Sequence, residues 1–334
     1  MKNFTTTLGA AAALLILPAL SFAQGKAVYG DDDRLDYFAV SQEMKALSDS
    51  TVSLWESDDI TEDAAGFKLK TNNFGTYWEL CPGEKFREQP SGGSCSASLV
   101  GEDLIMTARH CITSEWKCKN TRFVFGYAVK KEGGGAAISI PAADVYGCAK
   151  IVTPSDNNAV VYDYALIQLD RKVVGHKPLA VNRSGGLKRG DGVFAIGYPK
   201  GLPVKIAGRA TVRRLRKGEF TANLDTFANN SGSPVFNART KLIEGILVGG
   251  DMDFQWNPAG CYTSIVNKQF DGQGERVTKI SLLSAYIPKL AYEKTVQGTA
   301  SSGAVNMDSR GIQSLDITSE NSRFKLNSEW NKRK

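Results

Sequence analysis

The feature that most limits the fold of this chain is a long succession of short β-type segments. From Thr51 to Asn267 the sequence of 334 residues alternates brief apolar or alternating runs with Gly, Asn, Asp and Pro. Examples of these runs are TVSLW, RFVFGYAV, AAISI, AVVYDYALIQL, GVFAIGYP and KLIEGILV. Many short strands separated by regular turn residues are typical of an all-β sandwich or barrel, and they argue against a wound α/β sheet.

Helices are predicted at two places. One runs around Tyr37 to Leu47, after the acidic DDD, and the other runs from Ser281 to Glu293, where Pro288 is expected to bend or break it. Residues 294–334 are polar and hold few apolar side chains, so we expect a loosely attached tail there.

The first 23 residues predict export. They combine a short positive start, an apolar run and small residues at Ser21 and Ala23, which is the pattern of a signal peptide cleaved after Ala23. The apolar run is short for a bilayer span, which disfavours a retained anchor or any other stable membrane insertion. The six Cys show no CxxC spacing, so disulfides are favoured over metal thiolates. We therefore expect a soluble protein that is secreted or periplasmic.

Composition excludes other classes of partner. The formal net charge of +6 is modest for this length, and no long basic run with interleaved aromatic residues is present, so a nucleic-acid partner is disfavoured. The Cys and His residues lack a zinc-like spacing, and a metal protein is a weak alternative.

The stretch NNSGSP at residues 229–234 raises the question of a nucleophile. Ser231 is one more hydroxyl in a polar turn unless a base lies beside it, because serine alone is a weak nucleophile. The chain contains two histidines. His110 directly follows the apolar run LIMTA and precedes Cys111, whereas His176 lies in a polar connection and is predicted to be a surface loop residue.

Three segments carry a resemblance to a known family. SCSASLV followed by TARHC, then DYALIQL, then NNSGSPVF resemble the His, Asp and Ser motifs of the chymotrypsin-like (trypsin-like) serine endopeptidases, especially the bacterial branch that includes the glutamyl endopeptidases. The resemblance implies a catalytic triad of His110, Asp163 and Ser231, in that family's order. It also implies an all-β fold of two six-stranded antiparallel β-barrels with a C-terminal helix.

The same resemblance divides the chain into expected parts. Residues 24–50 are an N-terminal extension or a propeptide, with VYGDDDR as an alternative start of the mature domain. Residues 51–293 are the peptidase domain, with the first barrel to about 178, the second barrel at 179–280 and the helix at 281–293.

Two positions depart from the family pattern beside the nucleophile. The backbone N–H groups of Asn229 and Ser231 are expected to form the oxyanion hole, where the family usually has Gly in place of Asn229. Asn is the least disruptive choice with a side chain if the backbone there is left-handed. Asn230 stands where animal trypsins have an Asp that pairs with a new N-terminus, so that activation switch is absent.

Substrate-binding residues are implied by position. Asp225, six residues before Ser231, stands where trypsin holds its specificity acid and predicts selection of Lys or Arg, with a simple turn residue as the alternative. Val248, Gly249 and Gly250 are expected to pair with the substrate as an added strand, the glycines leaving the pocket mouth open. Leu247 replaces the pocket-wall His of the glutamyl enzymes, which disfavours selection of glutamate.

The pairing of the six Cys is open in part. Cys95 and Cys111 flank the strand pair from SASLV to TARH, and we predict a disulfide between them. Sequence does not settle the other four, for which Cys118 with Cys148 and Cys81 with Cys261 is the favoured combination.

These observations predict an exported, monomeric serine endopeptidase that acts on protein or peptide substrates without cofactor or metal. The rival is a catalytically inactive relative that uses the same surface to bind a partner.

Overall fold

The computed structural model describes residues 27–64, 66–154 and 157–293. The predicted signal peptide, residues 1–23, and the predicted tail, residues 294–334, lie outside the described residues.

The strands, in chain order, are β1 Val28–Tyr29, β2 Arg34–Asp36, β3 Thr51–Glu56, β4 Ile60–Asp63, β5 Gly66–Leu69, β6 Asn72–Asn73, β7 Pro90–Ser91, β8 Cys95–Leu99, β9 Leu104–Thr107, β10 Thr121–Val124, β11 Ser139–Ile140, β12 Val145–Ile151, β13 Ala165–Leu169, β14 Gly192–Gly197, β15 Lys205–Leu215, β16 Glu219–Ala222, β17 Pro234–Asn237, β18 Ile243–Gly249, β19 Phe254–Asn257, β20 Cys261–Ser264, β21 Val266–Asn267 and β22 Glu275–Lys279.

Helices are short within the described residues. They are α1 Gln42–Ser48, α2 Phe74–Tyr77, α3 Glu115–Lys119 and α4 Asn157–Val161. The first predicted helix starts later than expected, because Val40 is extended and the Ser41 side chain accepts the Met44 N–H at 3.3 Å as an N-cap. Tyr37–Ala39 form a separate 3₁₀ turn.

Two closed barrels confirm the predicted architecture. The first has the strand order β3, β8, β9, β13, β12, β10 and closes from β10 back to β3. The second has the order β14, β17, β18, β22, β16, β15 and closes through the pairing of β14 with β15. Each barrel has six strands and is antiparallel, and β2 adds a seventh strand to the outside of β15. Most of the quoted apolar runs form barrel strands. AAISI instead ends in β11, which pairs with β5 outside both barrels, and the start of AVVYDYALIQL lies in α4.

The barrel interiors hold the apolar side chains of those runs. Leu54, Phe123 and Ile167 are buried in the first barrel, and Phe220 and Val277 are buried in the second. Burial of such side chains is the main favourable contribution to the folding free energy. The strand ends at the junction of the barrels are thereby held in place.

The predicted C-terminal helix at residues 281–293 is wrong. The chain forms two 3₁₀ turns, Ile280–Leu282 and Ser284–Tyr286, and Ile287 is extended before Pro288. Proline disfavours helical backbone at the preceding residue and lacks an N–H for the helix ladder, which explains why no helix continues through Ile287 and Pro288. Ile280, Leu283 and Ile287 are nevertheless buried, so the apolar spacing is used without a helix.

The segment 27–50, for which the sequence suggested an extension or a propeptide, packs on the second barrel. β1 pairs in parallel with β21 (Val28 opposite Val266), and β2 pairs with the start of β15 (Asp36 opposite Lys205). A buried ion pair between Lys205 Nζ and Asp36 Oδ1, at 2.7 Å, reinforces the second contact.

All three predicted disulfides are present. Cys95 pairs with Cys111, Cys118 with Cys148 and Cys81 with Cys261. The Cys81–Cys261 bridge joins the region after α2 to the β19–β20 hairpin across 180 residues of sequence. In the described part of the chain, no helix is long and apolar enough to cross a membrane.

Candidate active site

The predicted base and its orienting acid come from adjacent strands of the first barrel. His110 lies in a 3₁₀ turn just after β9, and Asp163 lies just before β13. β9 pairs with β13, with Thr107 opposite Ala165, so the two strands bring the two side chains together. The His110 Nδ1 and Asp163 Oδ2 atoms are 2.6 Å apart, and the His110 N–H donates to Asp163 Oδ1 at 2.9 Å.

The carboxyl group of Asp163 is held in its ionised form. Burial acts to raise its pKa, but the hydrogen bonds and charge of His110 outweigh burial, and the net pKa is lowered. Asp163 has a φ of +56°, which Asp tolerates better than most residues. An ionised acceptor at Nδ1 favours the tautomer in which His110 Nε2 is left to accept a proton.

Ser231 lies on a tight loop before β17 of the second barrel. The loop is fixed by β8 of the first barrel: the Ser96 N–H donates to Ser231 O at 2.8 Å, and Ser96 Oγ donates to Asn229 O at 2.8 Å. Gly232 has a φ of +90°, and a Cβ atom there would lie 1.9 Å from Ser96 O. The glycine of NNSGSP is therefore required both by backbone conformation and by space.

His110 and Ser231 line one cavity of about 330 Å³. The lining residues are Ser94, Cys95, His110, Cys111, Lys117, Ala228, Asn229 and Ser231. The Cys95–Cys111 disulfide thus contributes to the wall of the cavity. The structure brings together two of the three predicted triad residues at one cavity, with the third bonded to His110.

The backbone at Asn229 has an orientation suited to an oxyanion. Lys200 N–H donates to Ala228 O at 2.6 Å, which fixes that carbonyl. In a trans peptide the C=O and the following N–H point in opposite directions, so the Asn229 N–H points away from Lys200. Among the described residues, no protein acceptor takes a hydrogen bond from this N–H. A donor of this kind beside a nucleophile can stabilise developing negative charge.

The Asn229 side chain does not obstruct this arrangement. Asn229 has a φ of +69°, the left-handed conformation that the sequence anticipated. Its Nδ2 donates to Gly93 O at 3.0 Å, so the side chain is held against the first barrel. The neighbouring Asn230 is buried and accepts a hydrogen bond from Ser233 Oγ at 3.2 Å, so a neutral contact within the loop occupies its amide oxygen.

Asp225 is not among the residues that line this cavity. Its carboxylate is buried, and Oδ1 accepts the Tyr29 N–H at 2.7 Å while Oδ2 accepts the Asp33 N–H at 2.9 Å. Burial raises the pKa of Asp225, and burial together with the charge of Asp225 raises the pKa of Asp33. Asp225 thus ties the N-terminal segment to the second barrel.

The predicted substrate strand has one open edge. β18 pairs with β17 only as far as Ile246, opposite Pro234, and pairs with β22 as far as Gly249. Among the described residues, β17 therefore does not pair with Val248 or Gly249. A Cβ atom on Gly250 would lie 2.1 Å from the buried Glu275 carboxylate, so this glycine makes room for an acid.

His176 is not the exposed loop residue that the sequence predicted. Its ring stacks on Phe125 with centroids 4.2 Å apart, and Nε2 lies 3.1 Å from Asp144 Oδ1. Only 13% of the side chain is exposed. The apolar residues before His176 include no aromatic side chain, and Phe125 and Asp144 lie far from His176 in sequence. The sequence therefore could not predict this packing.

Two residues beside the site carried no sequence signal either. Lys200 and Asp253 form an ion pair against Ala228, in segments that match no motif. Neither residue stands near His110, Asp163 or Ser231 in sequence.

Known proteins resemble the chain in this region. Residues 95–245 match the family model of the trypsin-like peptidase domain. The glutamyl endopeptidase of Staphylococcus aureus (strain MRSA252) is 26% identical over 172 residues, which are 49% of this chain and 45% of that protein. The match therefore spans less than half of the relative's length.

Two solved structures are similar to the chain at low identity. A Glu endopeptidase in complex with MPD is 16% identical, covers 82% of this chain and 99% of its own, and has a TM-score of 0.44. A scabies mite inactivated protease paralogue is 14% identical, covers 77% of this chain and 96% of its own, and also has a TM-score of 0.44. The resemblance noted in the sequence is confirmed by the family model.

Proposed function

Starting from the trypsin-like peptidase domain at residues 95–245, we propose that the protein is an exported serine endopeptidase that hydrolyses peptide bonds through an acyl-enzyme on Ser231. One observation supports this proposal. His110, Asn229 and Ser231 line a single cavity, and Asp163 is bonded to His110, which is consistent with the groups that acyl transfer requires.

The chemistry follows from the atoms present. Ser231 Oγ attacks the scissile carbonyl carbon and transfers its proton to His110 Nε2, while Asp163 holds the ring and stabilises the imidazolium. The carbonyl oxygen becomes an oxyanion that accepts hydrogen bonds from the N–H groups of Asn229 and Ser231. When the intermediate collapses, the C–N bond breaks and His110 returns the proton to the leaving amine.

The second half repeats these steps with water. Water gives a proton to His110 and attacks the ester carbonyl of the acyl-enzyme, and His110 then returns the proton to Ser231 Oγ. Each proton removed is replaced within one turnover, so the reaction needs no cofactor.

Substrate is expected to bind as an extra strand. The edge of Val248 and Gly249 that does not pair with β17 supports backbone pairing of this type, because an extended peptide can hydrogen-bond to an unpaired strand edge. Such pairing places the scissile bond by its backbone and leaves side-chain preference to the pocket.

The finer part of the proposal is a preference for Lys or Arg on the acyl side of the cut, through Asp225. Its position relative to Ser231 supports this preference, whereas the two backbone N–H groups that already bond the carboxylate support a structural role instead. A digest of a peptide library separates the two roles: a basic preference that disappears in Asp225→Ala supports selection by Asp225. No basic preference in the parent protein leaves Asp225 as the anchor of the N-terminal segment.

Export is supported by three disulfides, which persist in oxidising compartments, together with the signal pattern of residues 1–23. We expect the mature protein outside the cytoplasm, in the medium or the periplasm.

A second candidate function is peptide binding by an inactive homologue. The observation that favours it is the side chain at position 229, where the family usually has glycine. Labelling with a fluorophosphonate probe, with Ser231→Ala as the control, tests the main proposal. Label on the parent and none on the control supports a nucleophile, and a folded parent that neither labels nor cleaves peptides supports the binding protein.

A further inference from the structure

A buried ion pair lies directly behind the loop that carries Ser231. Lys200 belongs to the 3₁₀ turn Pro199–Gly201 after β14, and Asp253 lies between β18 and β19. Lys200 Nζ and Asp253 Oδ2 are 2.7 Å apart, and their side chains are 12% and 5% exposed. Lys200 Nζ also lies over the Trp78 ring, 4.1 Å from its centroid, which favours a cation at this place.

The pair contacts both sides of one residue. The Ala228 N–H donates to Asp253 Oδ1 at 3.1 Å and to Asp253 Oδ2 at 3.2 Å. The Ala228 carbonyl accepts the Lys200 backbone N–H at 2.6 Å. Ala228 is thus fixed at its donor and at its acceptor by the two members of the same ion pair.

We propose that Lys200 and Asp253 are positioning residues, and that together they set the Ala228–Asn229 peptide so that the Asn229 N–H faces the cavity of His110 and Ser231. This inference rests on the proposed function, because it assigns the pair a role in stabilising the oxyanion.

The physical reason is that this peptide has two orientations. Turning its plane through half a revolution would direct the Ala228 carbonyl into the cavity and withdraw the Asn229 N–H. The hydrogen bond from Lys200 N–H to Ala228 O opposes that turn, and the Asp253 carboxylate holds the preceding N–H of Ala228. The ion pair holds the Asp253 carboxylate and the turn that contains Lys200 at a fixed position relative to each other.

An Asp is needed for both contacts at once. Its two oxygens accept from Lys200 Nζ and from Ala228 N–H together. An Asn has one accepting oxygen and one donating NH₂ group. Because both Asp253 oxygens lie beside the Ala228 N–H, the NH₂ group of an Asn would face that donor in either orientation, and it would face Lys200 Nζ as well if it took the place of Oδ2. Asp253→Asn therefore disrupts the contacts of this side chain with Lys200 and Ala228, with almost no change of side-chain volume.

The experiment compares this pair with a matched pair elsewhere. Arg183 Nε and Glu293 Oε1 are 2.8 Å apart, and their side chains are 17% and 5% exposed, but neither residue lines the cavity. The variants are Asp253→Asn, Lys200→Arg as the conservative change, and Glu293→Gln as the control. The readouts are kcat and KM for a chromogenic peptide substrate, thermal unfolding, and the crystal structure of Asp253→Asn at residues 228–229.

We expect Asp253→Asn to lower kcat by about 10- to 100-fold with KM within about threefold, since an oxyanion donor acts mainly in the transition state. Lys200→Arg should keep kcat within about fivefold, and Glu293→Gln should keep it within about threefold. The crystal structure of Asp253→Asn should show the Ala228–Asn229 peptide turned or in two orientations.

The inference is overturned if folded Asp253→Asn keeps the peptide orientation and the parent kcat, or if Glu293→Gln loses kcat equally. If Asp253→Asn fails to fold, Lys200→Met with Asp253→Asn leaves no unpaired buried charge and takes its place in every measurement. A parent protein that never turns over contradicts the proposed function, and the peptide orientation in the crystal structure then decides the inference by itself.

Discussion

The two barrels hold their parts of the candidate site by different means. In the first barrel, His110 and Asp163 are bonded mainly to each other, and their side chains remain 36% and 19% exposed. In the second barrel, Ser231 is 6% exposed, and its loop is bonded through the backbone to Ser96, Leu247 and Lys200. The first arrangement suits a group that gains and loses a proton, and the second suits a nucleophile and an oxyanion donor that must keep their geometry.

The largest expected effect on kcat comes from removing the side chain of His110 or that of Ser231. His110→Ala and Ser231→Ala should each reduce kcat by about 10⁶, because triad members act as a unit. His176→Ala is the control and should stay within about threefold, although its stacking on Phe125 makes some loss of stability expected. Steady-state kinetics on a chromogenic peptide measures all three, and a larger loss in His176→Ala would reassign the base.

The next effect concerns the bond inside the first barrel. Asp163→Asn should reduce kcat by about 10⁴ with the fold intact, because an amide no longer favours the tautomer that leaves Nε2 as the acceptor. Kinetics combined with a crystal structure of the variant checks both parts. A loss below about tenfold would mean that the His110–Asp163 contact is structural.

A third effect tests the rigidity of the second barrel. Gly232→Ala should lower the free energy of unfolding by about 3 kcal/mol and kcat by about 10², since a Cβ atom would clash with Ser96 O in a left-handed backbone. Gly175 has nearly the same φ, +87°, and no heavy atom lies within 4 Å of its added Cβ. Gly175→Ala should therefore cost only about 1 kcal/mol and leave kcat unchanged. If denaturant unfolding and kinetics show equal effects for Gly232→Ala and Gly175→Ala, the left-handed backbone alone, and not the clash with Ser96 O, accounts for the loss.

The stability contributions of Asp163, beside the first barrel, and Asp33, in the N-terminal segment, should depend on pH with opposite sign. The lowered pKa of Asp163 contributes stability that is present above its ordinary value of 3.8 and is lost as pH falls through the folded value. Burial raises the pKa of Asp33, with the charges of Asp225 and Asp32 adding to the rise and Arg209 opposing it. Stability from this group is present below 3.8 and is lost as pH rises through the folded value.

Asp33→Asn should therefore raise the free energy of unfolding at pH 8 by on the order of 1 kcal/mol and leave it unchanged at pH 3. Denaturant titrations at several pH values give this difference directly. Asp163→Asn is the comparison and should be less stable than the parent at pH 7, with a gap that narrows in acid. A change of the free energy of unfolding in the same direction in both variants would contradict the opposite pKa shifts of Asp33 and Asp163.

The smallest effect is expected at Asn229. Asn229→Gly should change kcat by less than about tenfold, because the observed φ of +69° is already the conformation that glycine would adopt. A rise of 10² to 10³ would instead show that the Asn side chain withholds the N–H from the oxyanion in the parent. A folded Asn229→Gly protein that neither labels nor cleaves would defeat the hydrolase proposal.

The sequence predicted the parts of the fold that depend on local pattern. Short apolar runs indicated the barrel strands, and the flanking of one strand pair by Cys95 and Cys111 indicated their disulfide. The predicted helix at 281–293 failed because the chain forms two separate 3₁₀ turns from Ile280 and is extended at Ile287 before Pro288. The apolar spacing of this segment therefore predicted correctly which side chains are buried, but it predicted the wrong backbone conformation.

Contacts between segments that are distant in sequence could not be predicted from local sequence pattern. The partners of Asp225 are backbone N–H groups almost 200 residues away in sequence, and a backbone donor leaves no trace in residue types. The same holds for Lys200 and Asp253, which meet Ala228 from two separate loops. Candidate site residues that match motifs were predictable, and those that support them through the backbone were not.

The pairing of β1 with β21 has a consequence for the order of folding. Val28 lies opposite Val266, so one of the first segments of the described chain to be synthesised waits for one of the last. Loop closure over such a distance is slow, so β1 stays without its partner strand until β21 has been synthesised. The first barrel, whose strands all lie between Thr51 and Leu169, can close while the ribosome is still at work on the second. The complete arrangement of the described residues therefore forms only after β21 has left the ribosome.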